Sequence, residues 1–517
     1  MPSQRPRRLH RVRNACLLAL ALVLVESGIL HARQEESGRV AAILSAAEAD
    51  LREGRSETAI DEFRRAQALL GLRHLYGGSG ESRPVGAFES ASARLHRGLA
   101  EAYLQIDRPY AAAVEAEHGV NADERDGRLW TLLGLAHYRL ANVDSAGQAL
   151  ERAAVLGVDD ADLYWGRALV AAAGNRIPEA IDAARRARER RAEPRFALAL
   201  ARWSVIAGDY GAAAEALDDF LDLAPDDPRA AGTRNLVRFY REVARAPANV
   251  VEPGASRLQL RFDLKRGDEI PYVPARINGH PEVYILFDTG AERNVLDRDF
   301  AESIGIGPVF PGGALHGAWR ESPAGHAIVD SLRLGSMTIE RIPFAVTDFE
   351  RLHLRLQGDY YIAAIVNPAL LLRDFLVVLD YHQRHIELER YGLAGVTYAG
   401  RRTRLRKSTT PFHFAANGVW PVLPASLDGS RVLPFLVDTG ASDLLVSRET
   451  AAALRIDPLN FVASAGGHAR ERLRGILLDG GLSEPWDMQI HGLLGYPFFR
   501  GMRMVFDYEN MTLTLEN

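Results

Sequence analysis

From about residue 39 to 245, apolar side chains recur every three or four positions among Ala, Glu and Arg, the pattern of amphipathic helices. The pattern also repeats. Val143-xx-Ala146-xxx-Leu150, Ile177-xx-Ala180-xxx-Ala184 and Tyr210-xx-Ala213-xxx-Leu217 begin 34 and then 33 residues apart, and Tyr110-xx-Ala113 sits one period earlier. Gly174-Asn175 and Gly208-Asp209 are turn signals ahead of two of these segments, and Pro225 stands where a helix must stop. Small residues at matched places let the two helices of a hairpin approach closely. The insert Gly77-Gly78-Ser79-Gly80 predicts a loop that breaks the period after the first unit. Residues 246–256 read as a linker, and beyond Arg257 short apolar runs and alternation predict strands.

The strand-rich part contains itself twice. Ile270-Pro-Tyr-Val-Pro-Ala-Arg-Ile-Asn-Gly279 aligns without a gap on Trp420-Pro-Val-Leu-Pro-Ala-Ser-Leu-Asp-Gly429, an offset of 150 residues. The offset persists through Asp288-Thr289-Gly290-Ala291 and Asp438-Thr439-Gly440-Ala441 to Ile304-Gly-Ile306 and Leu454-Arg-Ile456. Asn278-Gly279 and Asp428-Gly429 are dipeptides suited to positive φ at both positions, as a two-residue hairpin turn requires. Each copy therefore reads as strand, turn, strand, Asp-Thr-Gly loop, strand and short helix. The halves close with matching hairpins at residues 375–381 and 504–508, where Asp380 and Asp507 read as turn residues. The expected boundaries are 39–245 for the helical repeats, 257–392 and 411–517 for the two lobes, and 393–410 for the connection between the lobes.

The helical stretch resembles the tetratricopeptide repeat family, with about five units and a closing helix near residues 228–245. Such an array is either a platform or a concave surface that holds a peptide or a protein partner. One Asp-Thr-Gly triplet occurs by chance in roughly one chain in ten of this length, so alone it would decide nothing. Here both triplets follow apolar strands, Tyr284-Ile-Leu-Phe287 and Pro434-Phe-Leu-Val437, at the same point of a duplicated unit. These segments resemble the aspartic peptidases, specifically the retroviral type with two fused lobes.

That resemblance implies Asp288 and Asp438 as a catalytic dyad acting on a peptide or unfolded protein, with no metal and no cofactor. Two carboxylates a few Å apart cannot both carry charge cheaply, so they share a proton at acidic pH. Thr289 and Thr439 would tie the two loops together, while Gly290 and Gly440 would leave room for close approach. The family's late apolar-apolar-Gly segment is Leu493-Leu494-Gly495 in lobe two and Ile365-Val366-Asn367 in lobe one. Asn367 is a departure from glycine that would suit a left-handed backbone. Glu292 after the first triplet is a second departure, since lobe two has Ser442 there. Candidate flaps are the stretch around Gly317 and Trp319 in lobe one and the shorter stretch around Gly467 in lobe two. The lobes would pair within one chain or with those of a second molecule.

Composition narrows the partners. With 62 basic and 67 acidic residues the net charge is −5, which leaves no cationic excess for nucleic acid. Cys16 is the only cysteine, so disulfides, CxxC metal sites and cysteine nucleophiles are excluded from the body of the chain. Arg5, Arg7, Arg8, Arg11 and Arg13 precede the apolar run Ala15 to Val25, a secretory pattern with cleavage expected after Ala32. Residues 1–32 thus predict export to the periplasm or beyond, the alternative being an uncleaved anchor, and no stable membrane span once the signal is removed. The sequence contains no HExxH, GxSxG or GxxxxGK[ST] motif. His382 and His385 fall in a polar turn and read as a solvated pair. The expectation is an α-helical repeat array followed by a two-lobed, mainly β aspartic endopeptidase. The rival is a non-catalytic binding scaffold with degenerate lobes.

Overall fold

The structure, a computed structural model, describes residues 38–76, 85–252, 254, 256–264, 270–307, 309–316, 321–351, 361–392, 407–480, 482 and 487–517. The signal-like segment 1–32 and the flap residues Gly317 and Trp319 lie outside them. The chain divides into two compact units, residues 1–136 with 155–157, and residues 137–154 with 158–517. No helix among the described residues is long and apolar enough to cross a membrane.

The first unit contains α1 (38–52), α2 (Ser56–Tyr76), α3 (Val85–Gln105) and α4 (Pro109–Ala122), and α5 (Gly127–Arg139) begins in it. The series continues in the second unit with α6 (Val143–Val155), α7 (Ala161–Ala173), α8 (Ile177–Arg190), α9 (Pro194–Ile206), α10 (Tyr210–Leu223) and α11 (Ala230–Val243). The periodicity seen in the sequence has a backbone counterpart. Asp107, Ala141, Asn175 and Gly208 each adopt positive φ, at 58°, 58°, 59° and 77°, just before the second helix of a hairpin. Ala113, Ala146, Ala180 and Ala213, at the matched places of the repeat, are all buried. The array is a set of helical hairpins on a period of 33 to 34 residues.

Lobe one is built on a nine-stranded sheet of β1 (Val250–Val251), β3 (Asp263–Leu264), β4 (Pro271–Ile277), β5 (Val283–Phe287), β6 (Val295–Asp297), β7 (Phe310–His316), β8 (Glu321–Leu334), β9 (Met337–Thr347) and β10 (Ile362–Val366). Lobe two has an eight-stranded sheet of β14 (His413–Phe414), β15 (Pro421–Leu427), β16 (Leu433–Val437), β17 (Leu444–Ser447), β18 (Phe461–Ala465), β19 (His468–Leu473), β20 (Gly475–Leu478) and β21 (Gly492–Leu494). The turn dipeptides behave as their chemistry requires: Asn278 and Gly279 lie at φ 48° and 74°, Asp428 and Gly429 at 48° and 70°.

A third, six-stranded sheet joins the lobes. It comprises β2 (Arg257–Arg261), β11 (Phe375–Asp380), β12 (His385–Arg390), β13 (Lys407–Pro411), β22 (Arg503–Asp507) and β23 (Thr512–Glu516). At its centre β11 pairs antiparallel with β22, Val377 opposite Phe506 and Leu379 opposite Met504. Every residue of β11 is buried, which explains its unbroken apolar run. Parts of the segments read as linkers are strand, because β1 pairs with β9 and β13 with β23. Asp380 and Asp507 accept the N–H groups of Gln383 and Asn510, as turn residues do. Of the expected solvated histidine pair only His382 is exposed. His385 begins β12, is buried, and lies 2.8 Å from Glu387.

Within the second unit the helices lean on the lobes through polar contacts set in apolar surroundings. Trp203, fully buried, stacks on Trp165 and donates its indole N–H to Ala416 O at 2.8 Å. Asn175 donates to Tyr508 O at 2.9 Å and accepts from the Arg373 guanidinium at 2.6 Å. Tyr138 donates to Asp487 at 2.8 Å. Trp203→Ala removes both a core aromatic and a cross-domain donor, and should cost about 3–5 kcal/mol, read as a lower urea midpoint in equilibrium unfolding.

Candidate active site

Each Asp-Thr-Gly loop is aimed by the strand pair beneath it. β5 runs into the first loop parallel to β10, and β16 into the second parallel to β21. The loops are pinned at equivalent points, Asp288 N–H to Val366 O and Asp438 N–H to Leu494 O, each at 3.0 Å. The threonines then cross over. Thr289 N–H donates to Thr439 Oγ1 and Thr439 N–H to Thr289 Oγ1, both at 3.1 Å. Their hydroxyls donate onward to the opposite lobe, Thr289 to Val437 O at 2.7 Å and Thr439 to Phe287 O at 2.8 Å. All four bonds are buried, and all are made within one chain.

This cross-link sets the carboxyls against each other, each beside the opposite loop's glycine and close enough for the charge of Asp288 to act on Asp438. Each is also held from its own loop, Asp288 by the Gly290 N–H at 2.7 Å and Asp438 by the Gly440 N–H at 2.9 Å. The glycines have no room for a side chain. A β-carbon on Gly290 would lie 2.5 Å from the Asp438 carboxyl carbon, and one on Gly440 would lie 2.6 Å from Asp288 Oδ2.

The electrostatics follow from this packing. Burial raises the pKa of Asp288, against the hydrogen bonds from Asp438, Gly290 and Ala291. Burial and then the negative charge of Asp288 push Asp438 well above the ordinary carboxylate range. Both shifts favour the protonated form of these carboxyls relative to an isolated aspartate. Glu292 is exposed and makes no hydrogen bond to either carboxyl.

Asn367 does not use a left-handed backbone. Its φ and ψ are −91° and 120°, and Gly495 is likewise extended at −99° and −167°. What Gly495 supplies is space, since a β-carbon there would fall 2.7 Å from Ala441 O. In lobe two the Ala441 carbonyl accepts the Tyr496 N–H at 2.9 Å. Pro368 stands at the matching place in lobe one and has no N–H. There the Asn367 side-chain amide donates to Ala291 O at 2.6 Å instead, while its oxygen accepts the Ala369 N–H at 2.7 Å. One polar side chain replaces the missing donor. Asn294, which no sequence motif singles out, accepts the Asn367 N–H at 3.1 Å from a buried position. A signal for it exists in the duplication, because lobe two has Leu444 at the same offset.

The flap expectation changes in lobe two. Gly466 and Gly467 form the β18–β19 turn at φ 55° and 73°. That turn packs on Leu515 and Ser408 of the joining sheet, where β-carbons on the two glycines would collide. Its counterpart in lobe one is the turn at Gly335, packed on Leu258 and Leu260 of β2. The turn at Gly467, expected as a flap, packs instead against the joining sheet. Only six residues, 455–460, separate the short helix Arg448–Leu454 from β18, too few for a further hairpin. In lobe one, β7 and β8 make that extra hairpin, and its arms rest on α11: Phe310 meets Phe239 at 5.6 Å, and Gly312 packs against Gly232 and Asn235. Another group missed from sequence is Tyr381, buried just after β11. Burial, followed by the charges of Asp438, Tyr496 and Asp288, raises its phenol pKa.

An aspartyl protease family model matches residues 273–362 and 423–474, one segment in each lobe. Among solved structures the helical region is similar to pilF of Pseudomonas aeruginosa, with 18% identity over 41% of this chain and 87% of that one at a TM-score of 0.32. It is also similar to TTC0263, a thermophilic TPR protein of Thermus thermophilus, with 19% identity over 39% and 97% at a TM-score of 0.29. None of the curated proteins compared matches the chain.

Thr439→Val should destabilise the protein by about 1–3 kcal/mol, because Thr289 N–H and Phe287 O lose their buried partner, and Thr289→Val added to it should cost less than the sum, as equilibrium unfolding of the two single variants and the double variant would show. Because both folded-state carboxyl pKa values are raised, the proton favours the native state. That stability is complete below the unfolded value of 3.8 and is lost as pH rises through the raised values. Asp438→Asn should therefore match the native chain below about pH 4 and exceed it in unfolding temperature near neutrality.

Proposed function

We propose that this chain, which joins tetratricopeptide-type repeats to a two-copy aspartyl-protease-type domain, is an aspartic endopeptidase. The observation that carries the reading is the pairing of the Asp288 and Asp438 carboxyls under a complete reciprocal threonine cross-link. In this reading the ionised carboxyl takes a proton from a water held between the two groups. The resulting hydroxide attacks the peptide carbonyl while the protonated carboxyl donates to the developing oxyanion. Lobe one's departures from the family pattern are compatible with this chemistry, since Asn367 restores the missing hydrogen bond and Glu292 faces solvent.

The helical repeats would recruit the substrate or a partner protein. A hollow of about 320 Å³ lies among α6, α7 and α8, lined by Gly147, Leu150, Val170 and the charged side chains Glu151, Arg167 and Arg176. Its mixture of apolar floor and paired charges suits an extended peptide. The basic and apolar opening of the chain, residues 1–32, supports export.

The test is cleavage of unfolded protein by the purified chain across about pH 4 to 7, where the dyad would share its proton. Asp288→Asn and Asp438→Asn should each lower the rate by at least about 10²–10⁴-fold. The alkaline limb of the native profile should lie above the range of an ordinary aspartate. Undiminished cleavage by both variants would overturn the proposal.

A further inference from the structure

Outside the dyad, a second group of ligand-bearing side chains converges in the first unit, on the α3–α4 hairpin. His96 comes from α3, and Glu115 and His118 come from α4, where their three-residue spacing puts them on one face. One donor atom from each lies within 4.8 Å of the other two, and this is the one such group of three among the described residues. His96 Nδ1 is 2.7 Å from Glu115 Oε2, and the rings of His96 and His118 meet edge to face with centroids 5.4 Å apart. Arg64 holds the other carboxylate oxygen of Glu115 at 3.0 Å and is itself fixed by the Tyr103 hydroxyl at 2.9 Å.

We propose that His96, Glu115 and His118 form a binding site for a divalent transition metal, zinc foremost, with a fourth coordination position open to solvent.

Two imidazoles and one carboxylate are a ligand set of open, three-residue zinc sites. A tetrahedral ion about 2.0–2.1 Å from each donor needs donors roughly 3.3 Å apart. The donors already lie within 4.8 Å of one another, with His96 Nδ1 2.7 Å from Glu115 Oε2, on either side of that value. Arg64 supplies what a ligating carboxylate usually has, an outer partner on the oxygen that does not face the ion. A purely ionic network would need only Arg64, Glu115 and His96. His118 is exposed and stands at the third corner, so it separates the two readings.

The experiment uses the untagged full chain, treated with chelator and titrated with Zn²⁺ and Co²⁺. The native chain should bind one equivalent of Zn²⁺ at this site and unfold at a higher temperature with it. Co²⁺ should give the visible absorption of a low-coordinate site. His118→Ala should weaken Zn²⁺ binding at least about 100-fold and abolish the cobalt band, leaving the unfolding temperature of the metal-free protein unchanged. Asp438→Asn should keep both properties, which places the ion away from the carboxyl pair. Failure of the native chain to take up either metal, or equal affinity in His118→Ala, would overturn the proposal. Glu115→Gln provides an independent loss of affinity but is not needed for the decision.

Discussion

The geometry of the carboxyl pair depends on two threonine hydroxyls that are each donor and acceptor at once. Thr289 and Thr439 accept the other's backbone N–H and donate to the other lobe's last strand carbonyl, so every polar group in the cross-link is paired. Buried polar networks are favourable only when complete. Complete as it is, this one fixes the distance between two acids that would otherwise repel. Gly290 and Gly440 are then compulsory, because each carboxyl occupies the space where the opposite loop's β-carbon would be.

The two lobes reach the same loop geometry by different chemistry. Lobe two uses Gly495 for close approach and the Tyr496 N–H as donor; lobe one uses Asn367 in place of the glycine and loses the backbone donor to Pro368. The exchange is concerted, with Asn294 added beneath it. The two copies share one frame and satisfy equivalent hydrogen bonds with different residues. The same asymmetry extends to the extra hairpin of β7 and β8, which lobe two lacks among the described residues and which lies against the last helix of the array.

Contact with the helices is more than apolar packing. Arg373 is half-buried, with its guanidinium shared between Asn175 of the α7–α8 turn and the carbonyls of Ala369 and Gly418. A partly desolvated cation held by three oxygens tolerates little displacement. Asn175 in turn occupies the left-handed turn position repeated along the array, so the repeat's own turn chemistry supplies the contact with the lobes.

The periods of 34 and 33 residues, the 150-residue offset and the two Asp-Thr-Gly triplets are legible in the chain because they are local patterns: helix spacing, turn dipeptides and strand alternation act on neighbours in sequence. Neither the role of Asn367 nor the placement of Gly467 is readable in that way. Residue type suggests a backbone conformation for Asn367, whereas its function lies in a side-chain bond to Ala291, 76 positions earlier. Gly467 looks like a flap because its stretch is glycine-rich, but the joining sheet, assembled from both lobes, takes up that turn. The convergence of His96 with Glu115 and His118 is equally invisible, since an ordinary spacing on one helix acquires meaning only when another helix packs against it. By itself the sequence determined which segments are helix or strand and which residues recur; the tertiary structure decided which of them meet, because contacts between distant residues depend on how already formed elements pack.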